Sequence, residues 1–141
     1  MIYTSSFEIA AKHARVISGE LRAMSIALDR PSGWPIDDVV YCLRPWPFME
    51  RYYREGNLTA YGYEDRYRVC VLQHRCAEWV AEHYDNVVMC CTEKPEEWCH
   101  RRVVRAWFGE KGIEVHELTG DPVGEEKKSE RKERVVQLTL L

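Results

Sequence analysis

The chain has 141 residues, of which 45% are hydrophobic and 30% are charged, and its formal net charge is −3. This length suits one domain of roughly 100–150 residues with a sizeable core, and the near balance of charge disfavours binding of nucleic acid by bulk charge alone. No apolar run reaches the roughly 18–20 residues that span a bilayer, and the first ten residues lack the pattern of a secretory signal. We therefore expect a cytoplasmic protein without a membrane partner.

The first half of the chain predicts two strands and two helices. The second helix is supported by prolines near its start and a glycine after its end. In chain order the predicted bounds are a strand at residues 2–5, a helix over 8–17 that stops before Gly19, a strand within 21–29, and a helix within 44–56.

Residues 64–84 predict the longest helix. Apolar residues occur on two sides of its helical wheel, separated by a narrow polar stripe, so we expect it to be buried on most of its girth. The first side holds Val69, Leu72, Cys76, Trp79, Val80 and His83, the second holds Tyr67, Cys70, Val71, His74 and Ala77, and the stripe holds Arg68, Arg75 and Glu82.

A strand, a polar loop, a helix and a strand follow in order. Residues 86–91, NVVMCC, are continuously apolar, which is typical of a central strand covered on both faces. The helix is predicted from about residue 98 to residue 111, before Gly112, and the last strand lies within 113–118. This βαβ order predicts a single three-layer α/β domain over residues 1–121, with a mostly parallel sheet covered by helices.

The end of the chain has a different composition. Residues 122–134 are mainly charged, so they predict a solvated segment. Residues 135–141, VVQLTLL, are apolar and need a partner. We expect them to add an edge strand to this sheet or to another subunit, which would make a homo-oligomer.

The topology predicts where a ligand would bind. Ligands of parallel α/β sheets bind outside the carboxyl ends of the strands. The residues expected at that edge are Ser5, Ser6, Asp29, Arg30, Cys91 and His116.

The start of the predicted helix near Trp98 contains the largest group of candidate functional residues. Its free N–H groups and positive dipole end favour an anion, yet Arg101, Arg102 and Arg105 add positive charge there. This indicates a compensating anion, which is either a ligand or one of the nearby glutamates at positions 93, 96 and 97.

Two residues at this helix start are candidates for catalysis. A helix N-terminus and nearby cations lower a thiol pKa, so Cys99 is a candidate nucleophile or redox thiol. His100 shares a helix side with Val103, Val104 and Trp107, so we expect it to face the sheet or the site. The positive helix end favours its neutral form.

Structural roles for the same residues remain open. A buried cysteine behaves as a small hydrophobe, and only one of Cys90 and Cys91 can point towards a given site. The chain has two Asn and two Gln among many charged residues, a balance typical of thermophiles, in which intracellular disulfides also occur.

Metal and cofactor sites are disfavoured by the sequence. Zinc sites usually contain short ligand pairs, whereas Cys91 and Cys99 are eight residues apart, and Cys99 and His100 should diverge by about 100° on a helix. The spacing of Cys99 and Arg105 is that of a phosphatase loop, but the residues between them lack glycine. No glycine-rich phosphate loop or dinucleotide fingerprint occurs, so we predict no cofactor and no metal.

The stretch CTEKPEEWCHR resembles the C-x-E-x-x-x-x-x-C-H-R signature of the family known as domain of unknown function 488. Cys91, Glu93, Cys99, His100 and Arg101 match it position by position. The flanking strand and helix, and segments upstream, are similar to that family over roughly residues 1–118. The resemblance implies an α/β domain with its functional edge at this loop, and it implies no particular reaction.

These observations favour an α/β protein that acts on a small anionic ligand, phosphorylated or nucleotide-like, as an enzyme or a binding protein. Arg101 would hold the anion, Cys99 would react, Glu93 would act as a base or orient Arg101, and His100 would donate or accept hydrogen bonds. One alternative is a nucleic-acid-binding module in which Arg101, Arg102 and Arg105 contact the nucleic acid and several tyrosines stack on its bases. The tyrosines are Tyr52, Tyr53, Tyr61 and Tyr63. A non-catalytic structural or oligomeric protein is the other alternative.

Overall fold

The computed structural model describes residues 1–28, 38–94 and 97–120. Within these ranges four strands form one sheet in which every ladder is parallel. The strands are β1 (Ile2–Ser6), β2 (Arg22–Ser25), β3 (Val87–Cys91) and β4 (Val115–Glu117), in the spatial order β2-β3-β1-β4. The predicted α/β class with a parallel sheet is confirmed. The predictions for Asp29, Arg30 and residues 122–141 lie outside the described residues.

Helices connect the strands. They are α1 (Phe7–Lys12), α2 (Ala14–Ile17), α3 (Pro47–Arg54), α4 (Ala60–Cys70), α5 (Ala77–His83) and α6 (His100–Glu110), with two short 3-10 helices at Tyr41–Leu43 and Leu72–His74. The crossover from β1 to β2 and the crossover from β3 to β4 run in opposite directions across the sheet. Because such crossovers are right-handed, α1 and α2 cover one face and α6 covers the other. None of the helices within the described ranges has the length and apolarity that a membrane crossing requires.

Every residue of β3 is buried, which confirms the prediction of a central, doubly covered strand. β1 and β3 are neighbours, and Ser6 lies opposite Cys91 at their carboxyl ends. Since their connections leave towards opposite faces, this is a topological switch point, where ligands of α/β folds bind. The loop after Cys91 therefore starts beside the place where the fold itself favours a site.

Two helix predictions are wrong in extent. The predicted helix over residues 8–17 is broken at His13, whose extended backbone (φ −75°, ψ 131°) ends α1 and whose ring accepts a hydrogen bond from the Arg15 N–H at the start of α2. The two short helices thus replace one longer one.

The predicted helix over residues 64–84 is also wrong, because extended backbone at Arg75 and Cys76 separates α4 from α5. Arg75 donates instead to the carbonyl of Cys42. The apolar residues around the helical wheel belong to two helices that bury different sets, which is why Val69 is 53% exposed and Trp79 is 49% exposed.

Candidate functional site

Three side chains meet where β3 ends and α6 begins. Cys91 is the last residue of β3, Cys99 is the N-cap of α6 and His100 is its first residue. The two sulfur atoms are 2.8 Å apart, the Cys99 sulfur is 3.7 Å from His100 Nδ1, and the Cys91 sulfur is 3.9 Å from His100 Nε2. All three residues are at most 3% exposed. The structure therefore brings together three of the residues singled out from the sequence.

The convergence of Cys99 and His100 contradicts the expectation that they diverge on a helix. Cys99 is the residue before the helix, and its backbone is extended (φ −152°, ψ 151°). Because its Cα–Cβ direction is set by that extended geometry, its sulfur can lie beside the ring of the next residue.

The His100 ring is held from two sides. Its Nε2 lies 2.8 Å from the carbonyl oxygen of Ile26, to which it donates, and its Nδ1 lies 4.0 Å from a carboxylate oxygen of Glu50. The ring of Tyr63 stacks on the imidazole at 6.1 Å between centroids, and Tyr67 meets it edge-on at 5.3 Å. Nδ1 is thereby directed towards Cys99 and Glu50.

Charge in this cluster is divided between Cys99 and His100. Burial opposes ionisation of Cys99, but its hydrogen bond with Cys91 and the charge and hydrogen bond of His100 hold the Cys99 pKa well below its ordinary value. Burial lowers the pKa of His100, yet the charge of Cys99, the Ile26 carbonyl and the Glu50 carboxylate raise it to about 9. These shifts favour an imidazolium beside a thiolate over the neutral ring expected from the sequence, because the negative partners act against the helix dipole.

The second thiol behaves differently. Burial, the hydrogen bond with Cys99 and the negative charge of Cys99 raise the pKa of Cys91 well above its ordinary value. Two thiolates in contact would repel each other, so the pair shares one negative charge. The raised pKa of Cys91 and the lowered pKa of Cys99 favour a pair in which Cys99 ionises and Cys91 keeps its proton.

Glu93 contributes through both its side chain and its main chain. Burial and the negative charge of Cys99 raise the pKa of its carboxyl group to about 7. Its carbonyl oxygen accepts a hydrogen bond of 2.7 Å from Arg101. Glu93 therefore orients Arg101 through its backbone carbonyl, while its carboxyl group interacts electrostatically with Cys99.

A cavity of about 580 Å³ opens beside the cluster. Its wall includes residues that follow β2 and β3, residues of α3, and the start of α6. The lining residues are Ala27, Leu28, Glu50, Tyr53, Arg54, Thr92, Glu93, Glu97, Trp98 and His100. Three carboxyl groups thus face one arginine and one histidine. Cys99 lies just behind this wall, because it is 2% exposed and its sequence neighbours Trp98 and His100 line the cavity.

Arg101 is a buried brace. It is 1% exposed, its Nε donates to the Glu117 carboxylate at 3.1 Å, and its Nη1 donates to the Glu93 carbonyl. Glu117 also accepts from the Thr4 hydroxyl at 2.6 Å and lies 3.9 Å from Arg105. Glu117 of β4 is therefore the carboxylate that pairs with Arg101, whose positive charge also interacts with Cys91 and Cys99, and Arg101 does not line the cavity.

The remaining candidates from the sequence do not join the cluster. The Ser5 hydroxyl donates to the carbonyl of Leu118, and the Ser6 hydroxyl caps α1 by accepting from the Ile9 N–H. His116 is half exposed and lies 3.0 Å from Glu114, on a strand position that alternates with Glu117. Both serines thus stabilise the structure at this edge of the sheet, while His116 lies at the surface.

The cluster contains the donor atoms of a metal site. The ligand atoms of Cys91, Cys99 and His100 all lie within 4.8 Å of one another. Two thiolates on a tetrahedral zinc ion lie about 3.7 Å apart, given a Zn–S bond of about 2.3 Å, whereas these sulfur atoms are 2.8 Å apart. The observed separation is thus shorter than that of two zinc ligands and longer than the bond of about 2.05 Å in a disulfide.

Sequence reasoning missed Glu50 and Glu117, and it named Tyr63 only as a possible contact to nucleic acid. Glu50 and Tyr63 come from α3 and α4 and are joined by a 2.6 Å hydrogen bond from the tyrosine hydroxyl. Nothing in the local pattern places them beside residue 100. Glu117 had a usable signal, because alternation along β4 puts it on the opposite face from His116.

Comparison of the chain with models of known protein families, with curated proteins and with solved structures gives no match in any of the three.

Proposed function

We propose that the protein is an enzyme in which the Cys99 thiolate, paired with the His100 imidazolium, attacks a ligand bound in the adjacent cavity. The observation that carries the proposal is the orientation of His100. Its Nε2 is fixed by the Ile26 carbonyl, and this fixes Nδ1 at 3.7 Å from the Cys99 sulfur. A cysteine paired with a histidine cation is an activated nucleophile.

Glu93 would supply the proton that such a reaction needs. It lines the cavity, and its pKa of about 7 gives it both protonation states near neutral pH. A group with that pKa is an efficient general acid and base. We assign it the transfer of a proton to the group that leaves when Cys99 attacks.

The ligand proposed from the structure differs from the anion expected from the sequence. Arg101 is sealed against Glu117, and the cavity wall carries Glu50, Glu93 and Glu97. Carboxylates accept hydrogen bonds and repel anions, so we propose a polar ligand that donates hydrogen bonds or carries positive charge. Trp98 and Tyr53, whose rings lie 5.2 Å apart at this wall, offer an aromatic surface to an apolar part of it.

The residues of the nucleic-acid alternative differ in exposure. Arg101 is buried, Arg105 lies against Glu117, and Tyr63 is 1% exposed. Tyr61 is 86% exposed and Tyr52 is 41% exposed, but Arg101 and Tyr63 are buried, so we favour the enzyme over this alternative. We also propose a cytoplasmic location, because a reducing compartment would keep the thiols of this site reduced.

Alkylation with iodoacetamide at several pH values, read by peptide mass spectrometry, tests the nucleophile. Below its pKa, a thiol of ordinary pKa (about 8.5) reacts roughly tenfold faster per pH unit. We expect the Cys99 rate to change little between about pH 6 and pH 8, because the thiolate is already formed. Accessibility scales the rate equally at every pH, so the slope reports ionisation even though Cys99 is buried.

The exposed Cys76 gives an internal reference, and His100→Gln is the matched variant. In that variant the Cys99 rate should become steeply dependent on pH. A Cys99 slope in the parent as steep as that of Cys76, or no labelling of Cys99 at any pH, would contradict the proposal.

A further inference from the structure

We propose that Cys91 is the resolving thiol of Cys99, so that the two residues form a redox couple that passes between dithiol and disulfide by exchange with small disulfides. This inference rests on the proposed nucleophile and adds a second step and a substrate class to it. It is carried by the contact between the two sulfur atoms, which are 2.8 Å apart.

The geometry needs only a small change to form the bond. A disulfide has an S–S distance of about 2.05 Å, so the sulfur atoms have to approach by less than about 1 Å. The Cys99 side chain does not cap α6, and it can therefore rotate towards Cys91 without losing a helix cap. Cys91, at the end of the buried central strand, stays in place.

The two thiols have different positions relative to the cavity. Cys99 lies between Trp98 and His100, which both line the cavity, whereas Cys91 adjoins one lining residue, Thr92, and is 0% exposed against 2% for Cys99. A disulfide in the cavity would therefore meet Cys99 first. Cys91, whose sulfur lies 2.8 Å from that of Cys99, is placed to attack it.

The reaction balances with the groups present. The Cys99 thiolate attacks one sulfur of a substrate R–S–S–R, which forms a mixed disulfide and releases R–S⁻, and this leaving thiolate takes the proton of the Glu93 carboxyl group. The Glu93 carboxylate then accepts the proton of Cys91. The Cys91 thiolate attacks the Cys99 sulfur and expels the second R–S⁻, which takes that proton from Glu93. The two cysteines are oxidised by two electrons, and one disulfide is reduced to two thiols.

Release of the Cys91 proton is favoured once the mixed disulfide has formed. The negative charge of Cys99 is one of the causes that raise the pKa of Cys91, and that charge disappears when Cys99 is bonded to the substrate sulfur. The first step thus removes an obstacle to the second.

Cys90 provides a matched control. It is the neighbour of Cys91 on the same strand and is equally buried, but its sulfur donates to the Val88 carbonyl and it does not belong to the Cys91, Cys99 and His100 cluster. Cys90→Ser removes a buried thiol next to the site without removing either member of the couple.

The experiment treats the reduced full-length protein with bis(2-hydroxyethyl) disulfide, quenches with acid, and reads intact mass and peptide linkages. Parent and Cys90→Ser should lose two hydrogen atoms, carry a Cys91–Cys99 linkage and release both halves of the probe as thiol. Cys91→Ser should instead retain one half of the probe on Cys99.

The outcomes separate the two proposals. If Cys99 of Cys91→Ser takes up the probe but the parent also stops at the mixed disulfide, the redox couple is refuted and the nucleophile stands. If Cys99 takes up no probe in parent or variant, both proposals fail. Should Cys91→Ser not fold, peptide mapping of the parent alone decides, since a linkage other than Cys91–Cys99 overturns the inference.

Discussion

Replacing Arg101 by alanine should destabilise the protein strongly. Arg101 is 1% exposed and makes hydrogen bonds to the Glu117 carboxylate at 3.1 Å and to the Glu93 carbonyl at 2.7 Å. Removing one member of a buried ion pair costs about 3–5 kcal/mol, because the partner charge stays buried without compensation. We expect about 3 kcal/mol, at the low end, since Thr4 and Arg105 still reach Glu117.

Urea denaturation measures this loss directly. With an m value of about 2 kcal/mol/M, a loss of about 3 kcal/mol lowers the midpoint by about 1.5 M. Arg105→Ala is the matched control, because Arg105 contacts the same carboxylate at 3.9 Å with 31% of its side chain exposed. Partly exposed pairs contribute about 0–1 kcal/mol, so its midpoint should move by less than about 0.5 M.

The stabilisation of the protein by phosphate distinguishes a structural role of Arg101 from a role in ligand binding. If Arg101 held an anion, Arg101→Ala would keep its stability or gain some, and added phosphate would stabilise the parent more than the variant. Our account predicts parallel phosphate responses at constant ionic strength. A loss within about 1 kcal/mol, together with a phosphate response that disappears in Arg101→Ala, would refute the assignment of Arg101 as a brace.

Three further outcomes are expected. Because the pKa of Glu93 is raised from 4.5 to about 7, the folded state binds more protons than the unfolded state between these pH values. As the pH rises from about 4.5 to about 7, the free energy of unfolding of the parent should therefore fall relative to that of Glu93→Gln, as denaturant unfolding would measure. A constant difference between the two proteins would contradict the buried carboxyl group. Elemental analysis of purified protein should find no stoichiometric zinc, and one zinc per chain that is lost in Cys99→Ser would show a metal centre instead. The cationic disulfide cystamine should oxidise the protein faster at low salt than anionic oxidised glutathione, because Glu50 and Glu97 line the cavity; the reverse order would contradict an acidic site.

The sequence predicts where the cluster of Cys91, Cys99 and His100 lies, because that position follows from short-range rules. An unbroken apolar run before a polar loop identifies β3, and the carboxyl end of a parallel strand identifies the edge at Cys91. The start of α6 follows from the same pattern, so Cys99 and His100 are found with it. These residues are within ten positions of one another, and local geometry suffices to bring them together.

The partners of those residues depend on long-range packing, which local patterns do not encode. Glu50 reaches His100 across the interface between α3 and the start of α6, and the Ile26 carbonyl follows the neighbouring strand β2. The charges near α6 indicate that Arg101 needs an anion, but they do not identify Glu117 on β4, sixteen residues away. The protonation of His100 is decided by these partners and therefore could not be read from the helix alone.

The central claim is that Cys99 is a thiolate at neutral pH because His100 is its cationic partner. A thiolate absorbs in the ultraviolet where a thiol does not, so the difference in absorbance between parent and Cys99→Ser reports the ionisation of this residue without regard to its accessibility. We predict that the difference is already present at about pH 6 and stays flat to about pH 8, and that His100→Gln loses it in this range. A difference that appears only as the pH passes the ordinary thiol pKa of about 8.5, in parent and His100→Gln alike, would contradict the account.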